Sequence, residues 1–219
     1  MHEPLVSIII PTYNRPYVLF ETIKNVLNQS WKNTQIIVID DGTLEKTMEV
    51  VKSLNDDRIL YKKTKDNLGC ADARKLGVEY SNGEFITFLD DDDIWENDYL
   101  TNQLKVFNKN PSLDFVVCDF QIKGGIVDKH LQNMEPFTNN FKSMIHQGPG
   151  PFFQCCMFNN KILKNFGDLL DSNAIPSEDW DFFINLSMRN PSIGYSSNVD
   201  FIWNYNNSSQ SANLFLEAK

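Results

Sequence analysis

Four consecutive aspartates, Asp90 to Asp93, follow an apolar segment at residues 85–89. Adjacent carboxylates repel one another, so holding them together costs stability unless a cation neutralises them. Mg²⁺ and Mn²⁺ prefer such oxygen ligands and commonly join them to diphosphate groups. We therefore predict that Asp92, helped by Asp90, binds Mn²⁺ or Mg²⁺. If the strand geometry continued, the first and third aspartates would share one face and the second would oppose them. The alternative is a solvated acidic loop in which Asp93 caps the next helix.

Two further polar clusters follow short β-branched segments of the kind that forms buried strands. Residues 11–15, Pro-Thr-Tyr-Asn-Arg, come directly after residues 6–10. Residues 40–43, Asp-Asp-Gly-Thr, come directly after residues 35–39. Open parallel sheets bind ligands where the carboxyl ends of their strands lead into loops. Three polar clusters at one sheet edge therefore predict a nucleotide-sized site, although Asp-Gly alone is also a common turn.

A separate acidic group, Glu178-Asp179-Trp180-Asp181, follows Ser177. Ser177 is a suitable cap for a helix predicted over residues 178–189. The helix dipole favours acidic side chains in a first turn, so this group need not be functional. A carboxylate placed across from a metal site would instead serve as a general base. Arg74 lies within a helical pattern, where an arginine usually forms surface contacts or ion pairs, and its spacing alone assigns it no role.

The elements that must hold these clusters alternate along the first half of the chain. Short apolar segments predict strands, and apolar residues at helical spacing predict helices between them. We therefore predict an α/β fold with a mostly parallel, Rossmann-like nucleotide-binding sheet and helices on both faces. The predicted strands are 6–10, 35–39, 58–61, 85–89 and 115–118, and the predicted helices are 16–29, 44–54, 70–80 and 99–107.

The second half of the chain is less regular. Residues 121–150 contain turn-forming residues and Gly-Pro junctions, and we predict that they are loop-rich. Phe152-Phe153 is interpreted as part of the core rather than as an acceptor surface. The elements expected beyond this segment are strands at 152–158 and 201–205 and a short helix at 161–166.

Composition limits the possible partners. A length of 219 residues suits one domain, 1–219, with a ligand-binding half at 1–120 and a completing half at 121–219. The net charge of −9, from 20 basic and 29 acidic side chains, argues against nucleic-acid binding. The four cysteines lack C-x-x-C spacing and are expected to be reduced thiols rather than zinc ligands. No run approaches the roughly 20 apolar residues of a membrane span. We expect a cytoplasmic protein, with peripheral contact at the inner face of a membrane left open.

Four ordered motifs resemble those of the inverting family 2 glycosyltransferases, which have the GT-A fold. The likeness is close over residues 5–110 and loose over residues 150–205. It begins with the family's opening strand and nucleotide loop and ends with the strand that carries its D-x-D element. The matching stretches are 7–15 (SIIIPTYNR), 38–43 (VIDDGT), 67–69 with 73–77 (NLG and ARKLG), and 83–93 (GEFITFLDDDD).

This resemblance implies that a sugar passes from a nucleotide diphosphate donor, expected to be a UDP-sugar, to a hydroxyl acceptor. The acceptor is expected to be a glycan or lipid-linked glycan in surface polysaccharide or glycolipid assembly. In the pair Glu178-Asp179, the resemblance implies that Asp179 is the catalytic base. It also implies that Asp41 contacts the nucleobase of the donor. The other residues implied at the donor site are Pro11, Thr12, Tyr13, Arg74, Asp90 and Asp91, with Arg15, Glu178 and Asp93 in supporting roles.

The sequence departs from the family pattern at two points, and two other functions remain as alternatives. Lys75 stands where Asn is common, and no Q-x-x-R-W element follows Asp179, which argues against a processive polymerase. A metal-dependent phosphohydrolase or nucleotidyltransferase would use the aspartates differently, but its nucleophile motif, the P-loop and G-x-G-x-x-G are all missing from the sequence. A non-catalytic module that binds sugar nucleotides is the second alternative.

Overall fold

The computed structural model describes residues 3–123, 130–145, 151–163, 165–173 and 177–204. Within these ranges, nine strands form one sheet and six α-helices pack around it. The strands are β1 (Val6–Thr12), β2 (Thr34–Asp40), β3 (Ile59–Lys63), β4 (Phe85–Phe88), β5 (Ile94–Trp95), β6 (Phe115–Lys123), β7 (His130–Gln132), β8 (Cys156–Asn159) and β9 (Ile193–Asn204). The helices are α1 (Pro16–Leu27), α2 (Lys46–Ser53), α3 (Cys70–Glu79), α4 (Tyr99–Lys109), α5 (Glu135–Ile145) and α6 (Glu178–Ser187).

The strand order is β3-β2-β1-β4-β8-β6-β9-β5, with β7 paired to β6. The first four strands in this order are parallel, so their carboxyl ends meet at one edge. β8 lies antiparallel between β4 and β6 and joins the two halves of the sheet. β9 runs parallel to β6, and the short strand β5 closes the far edge antiparallel to β9. The predicted α/β fold is confirmed, and its parallel pairings are concentrated in the first half.

Apolar strands and one-sided helices account for the first half. All seven residues of β1 are buried, as expected for a strand covered by helices on both faces. α1 begins with Pro16, which suits a first helical turn because its missing N–H would have no partner there. Leu19, Ile23 and Val26 of α1 then face the sheet at helical spacing.

Clustered phenylalanines hold the second half against β4. The ring of Phe153 lies 4.9 Å from that of Phe88 in β4 and 4.7 Å from that of Phe182 in α6. Tilted aromatic pairs at such distances contribute beyond the apolar area that they bury. Phe153 is fully buried, which agrees with its interpretation as core, whereas Phe152 is half-buried against Phe120 and Trp203.

The prediction that residues 121–150 are loop-rich is wrong where the structure describes them. β6 continues to Lys123, β7 pairs with it, and α5 fills Glu135–Ile145. Phe137, Phe141 and Ile145 are buried at a spacing of four residues, so the helical period was present in the sequence. The turn-forming residues on either side of this short segment hid that period.

Three other element predictions need adjustment. Residues 152–158 divide into a 3-10 turn at Phe153–Cys155 and the strand β8. The short helix expected at 161–166 is replaced by 3-10 turns at Asn160–Leu163 and Phe166–Asp168. The last strand starts eight residues earlier than expected, at Ile193, and Tyr205 at its predicted end lies outside the described residues.

Replacing Gly77 with Ala is expected to destabilise the protein. α3 packs so closely on β1 that an added Cβ would lie 2.3 Å from Cγ2 of Ile9. The gain in helix propensity is about 1 kcal/mol, whereas overpacking costs about 1–3 kcal/mol. A contact this short puts the overpacking cost in the upper part of its range, so we expect the free energy of unfolding, measured by urea denaturation, to fall by about 1–2 kcal/mol. Gly167→Ala is the control because its Cβ would meet nothing within 4 Å. Equal stability of Gly77→Ala and wild type would refute this packing argument.

Candidate active site

The loops after β1 and β2 are joined to each other. Asn14 has a positive φ of 55°, and its Oδ1 accepts hydrogen bonds from the backbone N–H groups of Thr43 at 2.8 Å and Leu44 at 3.2 Å. Tyr13 beside it is 47% exposed, whereas Pro11 is buried within β1. The two loops therefore form one surface at the carboxyl edge of the sheet, as the sequence predicted.

Asp41 connects this edge to α3. Its Oδ1 accepts hydrogen bonds from Thr64 Oγ1 at 2.7 Å and from the N–H of Leu68 at 2.8 Å. Its Oδ2 accepts a third, at 2.8 Å, from the N–H of Gly69, whose φ of 82° suits glycine. Asp41 is 6% exposed, so the loop before α3 is fixed around a buried carboxylate. The contact between Asp41 and a nucleotide base stays a prediction.

The aspartate run meets the first loop through two residues. Thr12 Oγ1 donates to Asp91 Oδ2 at 2.5 Å. Arg15 Nη1 lies 2.6 Å from Asp92 Oδ2 and 3.4 Å from Asp91 Oδ1. Burial raises the pKa of Asp91 to about 7, although Arg15 and Thr12 act in the opposite direction. Because β4 ends at Phe88, the strand alternation does not continue, and Asp91 and Asp92 share Arg15.

Asp93 contacts the end of β9 instead of capping the next helix. Its Oδ1 accepts a hydrogen bond from the N–H of Asn204 at 3.0 Å, and Asn204 Nδ2 donates to the carbonyl of Asp92 at 2.9 Å. α4 begins only at Tyr99, after β5, so Asp93 does not cap it. Burial raises the pKa of Asp93, and its acidic neighbours add to this effect. Asp93 therefore ties the aspartate run to the end of β9.

Arg74 brings the two acidic groups together. Its Nη2 lies 2.8 Å from Asp90 Oδ1. Its Nη1 lies 3.3 Å from Glu178 Oε1 and 3.3 Å from Asp179 Oδ1. The side chain is 2% exposed, and its guanidinium carbon lies 4.9 Å above the centroid of Phe153. One buried cation thus holds carboxylates from the end of β4 and the start of α6 on the same side of the sheet.

Asp179 is a mostly buried carboxylate with a raised pKa, and its role as catalytic base stays a prediction. Burial raises its pKa to about 7, and Glu178 and Asp90 act in the same direction. Arg74 and a hydrogen bond from the N–H of Phe153 oppose this rise. Its side chain keeps 21% of its surface exposed, so a hydroxyl can reach it. Ser177 is the N-cap residue of α6, as predicted, but its side chain makes no capping hydrogen bond.

Gln154 is a site residue that the sequence did not indicate. Its Nε2 donates to Asp90 Oδ2, while Arg74 occupies Asp90 Oδ1. A glutamine in a short apolar stretch carries no motif, and its position depends on how β8 pairs with β4. Only a knowledge of that strand pairing would have found it.

The geometry matches a known family. The model described as glycosyl transferase family 2 matches residues 7–167. The chain belongs to this family. The acidic loops and the buried Arg74 described above therefore lie in a family 2 glycosyltransferase.

Individual relatives agree with this assignment. A glycosyltransferase from Haemophilus influenzae is 33% identical over 229 residues, covering 100% of this chain and 86% of the relative. WfaP of Escherichia coli, named UDP-Glc:alpha-D-GlcNAc-diphosphoundecaprenol beta-1,3-glucosyltransferase, is 28% identical over 97% of this chain and 82% of its own length. The crystal structure of Staphylococcus aureus TarS 1–349 in complex with UDP-GlcNAc has a TM-score of 0.78 at 18% identity. That match covers 94% of this chain and 60% of the TarS chain, and it shows the GT-A fold.

The acidic edge of this glycosyltransferase suits a metal site in which the protein supplies only some of the ligands. No group of three His, Cys, Asp or Glu side chains in the described ranges is arranged to hold a metal ion. Both oxygens of Asp90 accept hydrogen bonds, from Arg74 and Gln154. Asp92 uses Oδ2 for Arg15 and is 19% exposed. This arrangement suits Mg²⁺ or Mn²⁺, because such ions are often bound by one or two carboxylates and take their other ligands from diphosphate and water.

Two further predictions concern cysteines and membrane spans. Cys70, Cys118, Cys155 and Cys156 are all free thiols, as expected. Among the described residues, none of the helices has the length and apolar character needed to cross a bilayer.

Replacing Asp179 with Asn is expected to stabilise the glycosyltransferase above pH 7. The pKa of Asp179 rises from an ordinary value of 3.8 to about 7 in the folded state. Wild-type stability therefore falls through this group as pH rises from about 4 to about 7, because only the unfolded state ionises freely. The neutral amide avoids this cost, worth about 1–3 kcal/mol for a partly exposed carboxyl. Urea denaturation at pH 4 and pH 8 measures the difference.

Asp56→Asn is the control of opposite sign. A hydrogen bond from Arg58 lowers the pKa of Asp56, so this carboxylate stabilises the fold above its ordinary pKa and loses that effect as pH falls. The variant is expected to be less stable than wild type at pH 8. If Asp179→Asn were also less stable than wild type at pH 8, the charge of Asp179 would stabilise the fold, and the raised pKa given above would be wrong.

Proposed function

We propose that this glycosyltransferase moves a sugar from a nucleotide diphosphate donor, of the UDP class, to a hydroxyl of a glycan or lipid-linked glycan, with inversion. The observation that carries the proposal is the convergence of Asp90, Glu178 and Asp179 on Arg74. It puts a carboxylate with a raised pKa next to the donor edge of the sheet. A single displacement requires such a base within reach of the acceptor hydroxyl, on the side of the sugar away from the leaving group.

The donor side combines exposed and fixed groups. Tyr13 offers an exposed ring beside the joined loops, and Asp41 lies buried between β2 and α3. Arg15 is half-exposed and reaches Asp92, so it can also approach a diphosphate. Asp92 would hold Mn²⁺ or Mg²⁺, which supplies positive charge to the departing diphosphate when bound.

Asp179 supplies the base in this proposal. A carboxylate with a pKa of about 7 accepts a proton at neutral pH far better than one at the ordinary value of 3.8. It takes the proton from the acceptor hydroxyl as that oxygen attacks the anomeric carbon. The bond between that carbon and the diphosphate oxygen breaks as the new bond forms, which inverts the configuration. Arg74 keeps Asp179 in place by ion pairing on its buried side.

The substrate class is supported by the relatives. WfaP is named for a UDP-Glc donor and a diphosphoundecaprenol-linked acceptor, and it aligns with 97% of this chain. The TarS structure with the same fold contains UDP-GlcNAc. We therefore propose a UDP-sugar donor and a lipid-linked glycan acceptor used in surface polysaccharide or glycolipid assembly, and a cytoplasmic location at the inner face of a membrane.

Binding of UDP is expected to depend on the metal and on Asp92. Isothermal titration calorimetry of UDP, GDP and dTDP should give the tightest binding for UDP with Mn²⁺ or Mg²⁺, and much weaker binding with EDTA. Asp92→Asn should weaken the metal-dependent affinity by at least about 10-fold, since it removes the ligand itself. Asp57→Asn is the control because Asp57 is exposed on the turn before β3, at the opposite edge of the parallel strands.

Two outcomes would contradict this prediction. Lack of binding of every nucleotide to wild type would remove the donor site. Release of free phosphate or pyrophosphate during turnover would favour a phosphohydrolase or nucleotidyltransferase.

Asp179→Asn is expected to abolish transfer without abolishing donor binding. Loss of a general base costs about 10²–10⁴-fold in turnover, whereas UDP affinity should stay within a few-fold because Asp92 and Arg15 remain. Transfer from UDP-sugars to a panel of lipid-linked and free glycans measures turnover, and calorimetry measures affinity. Asp181→Asn, on the same helix turn, is the control because Asp181 instead accepts a hydrogen bond from the N–H of Asp171. Full turnover in Asp179→Asn would assign the base elsewhere.

A further inference from the structure

Gln154 is placed opposite Asp90 by the pairing of two strands. β8 runs antiparallel to β4, with Met157 facing Thr87 and Phe158 facing Ile86. Past the end of β4, the 3-10 turn at Phe153–Cys155 that precedes β8 brings the side chain of Gln154 to Asp90. Gln154 thus reaches Asp90 from the second half of the chain, without belonging to any of the acidic loops.

The backbone around Gln154 is firmly held. Its carbonyl accepts a hydrogen bond from the indole N–H of Trp95 at 2.8 Å. The carbonyl of Cys156, two residues later, accepts one from Thr87 Oγ1 at 2.8 Å. Gln154 is 4% exposed, so its side chain has little freedom to move away from Asp90.

Asp90 needs this second partner because Arg74 is shared. The guanidinium contacts Asp90, Glu178 and Asp179, so it cannot by itself fix the direction of one of them. The amide of Gln154 donates to the other oxygen of Asp90 and adds no charge to a crowded acidic site. Together the two donors fix the positions of both oxygens of this carboxylate.

Holding Asp90 this way leaves a buried polar group unsatisfied. Within the described part of the chain, Gln154 Oε1 is buried and has no hydrogen-bond partner. Rotating the amide would place that oxygen against a carboxylate, so it does not relieve the defect. A buried acceptor without a partner costs stability and calls for an explanation other than folding. Residues that are strained in this way concentrate at functional positions.

We propose that Gln154 is a positioning residue that fixes the orientation of Asp90 for binding the metal–nucleotide diphosphate complex. This inference rests on the proposed function. Groups that orient metal-site carboxylates typically contribute about 10–100-fold to metal affinity or activity. Gln154 thereby makes donor binding depend on correct packing of the 3-10 turn and β8 against β4.

Gln154→Met tests this role because methionine has similar length and volume but no amide. We expect UDP affinity with Mn²⁺ and sugar transfer each to fall by about 10–100-fold. UDP affinity in EDTA should be unchanged, and the thermal midpoint should be equal to or higher than that of wild type, because the unpaired carbonyl is gone. A purely structural role would lower the midpoint and spare the metal-dependent affinity.

Gln103→Met is the matched control. Gln103 is fully buried, donates to the carbonyl of Cys155 at 3.3 Å, and also has an unpaired Oε1 within the described residues. Its replacement should leave UDP affinity and transfer within about twofold of wild type. Gln154→Glu, which keeps the shape and places a carboxylate against Asp90, should lose more metal-dependent affinity than Gln154→Met, and it serves if the Met variant does not fold.

The outcomes separate the two claims. If wild type binds UDP with Mn²⁺ and Gln154→Met matches it within twofold, the role of Gln154 is refuted and the proposed function stands. If wild type binds no nucleotide, the proposed function fails, and the role of Gln154 fails with it.

Discussion

The site depends on one buried guanidinium. Arg74 is 2% exposed, and three carboxylates from two distant parts of the chain surround it. Burying a cation of this kind is costly unless its partners are well placed. The packing of α3 on the sheet, the end of β4 and the start of α6 must therefore be correct together. The cation also contacts the ring of Phe153, so the aromatic core and the acidic site share a side chain.

β8 is the physical link between the two halves. It lies antiparallel between β4 and β6, and the 3-10 turn before it contains Phe153 and Gln154. The N–H of Phe153 bonds to Asp179, while the amide of Gln154 bonds to Asp90. Two neighbouring residues thus contact Asp179 and Asp90. The division into halves at 1–120 and 121–219 stays a prediction, but these bonds show how closely the two sets of residues are coupled.

The loops at the carboxyl ends of the parallel strands could be predicted from local sequence patterns. The contacts between distant residues could not. β-branched runs that end in polar residues located β1, β2 and β4 and the loops that follow them. Arg74 looked like any helical arginine because its partners are 16 and more than 100 residues away. α5 was missed because turn-forming residues flank its apolar spacing, and Gln154 depends on a strand register. The sequence thus indicated which residues are candidates for chemistry, but not which of them face each other.

The bond between Asn204 and Asp93 has a consequence for the order in which the molecule is built. Asn204 is the last described residue of β9, and it closes the aspartate loop more than 100 residues after that loop is made. Contacts of such long range form late in folding. While the chain is being synthesised, the first half emerges and folds with its acidic loop still unlocked. The aspartate loop therefore reaches its described geometry only after β9 has formed, and a half-made chain would display the carboxylates without it.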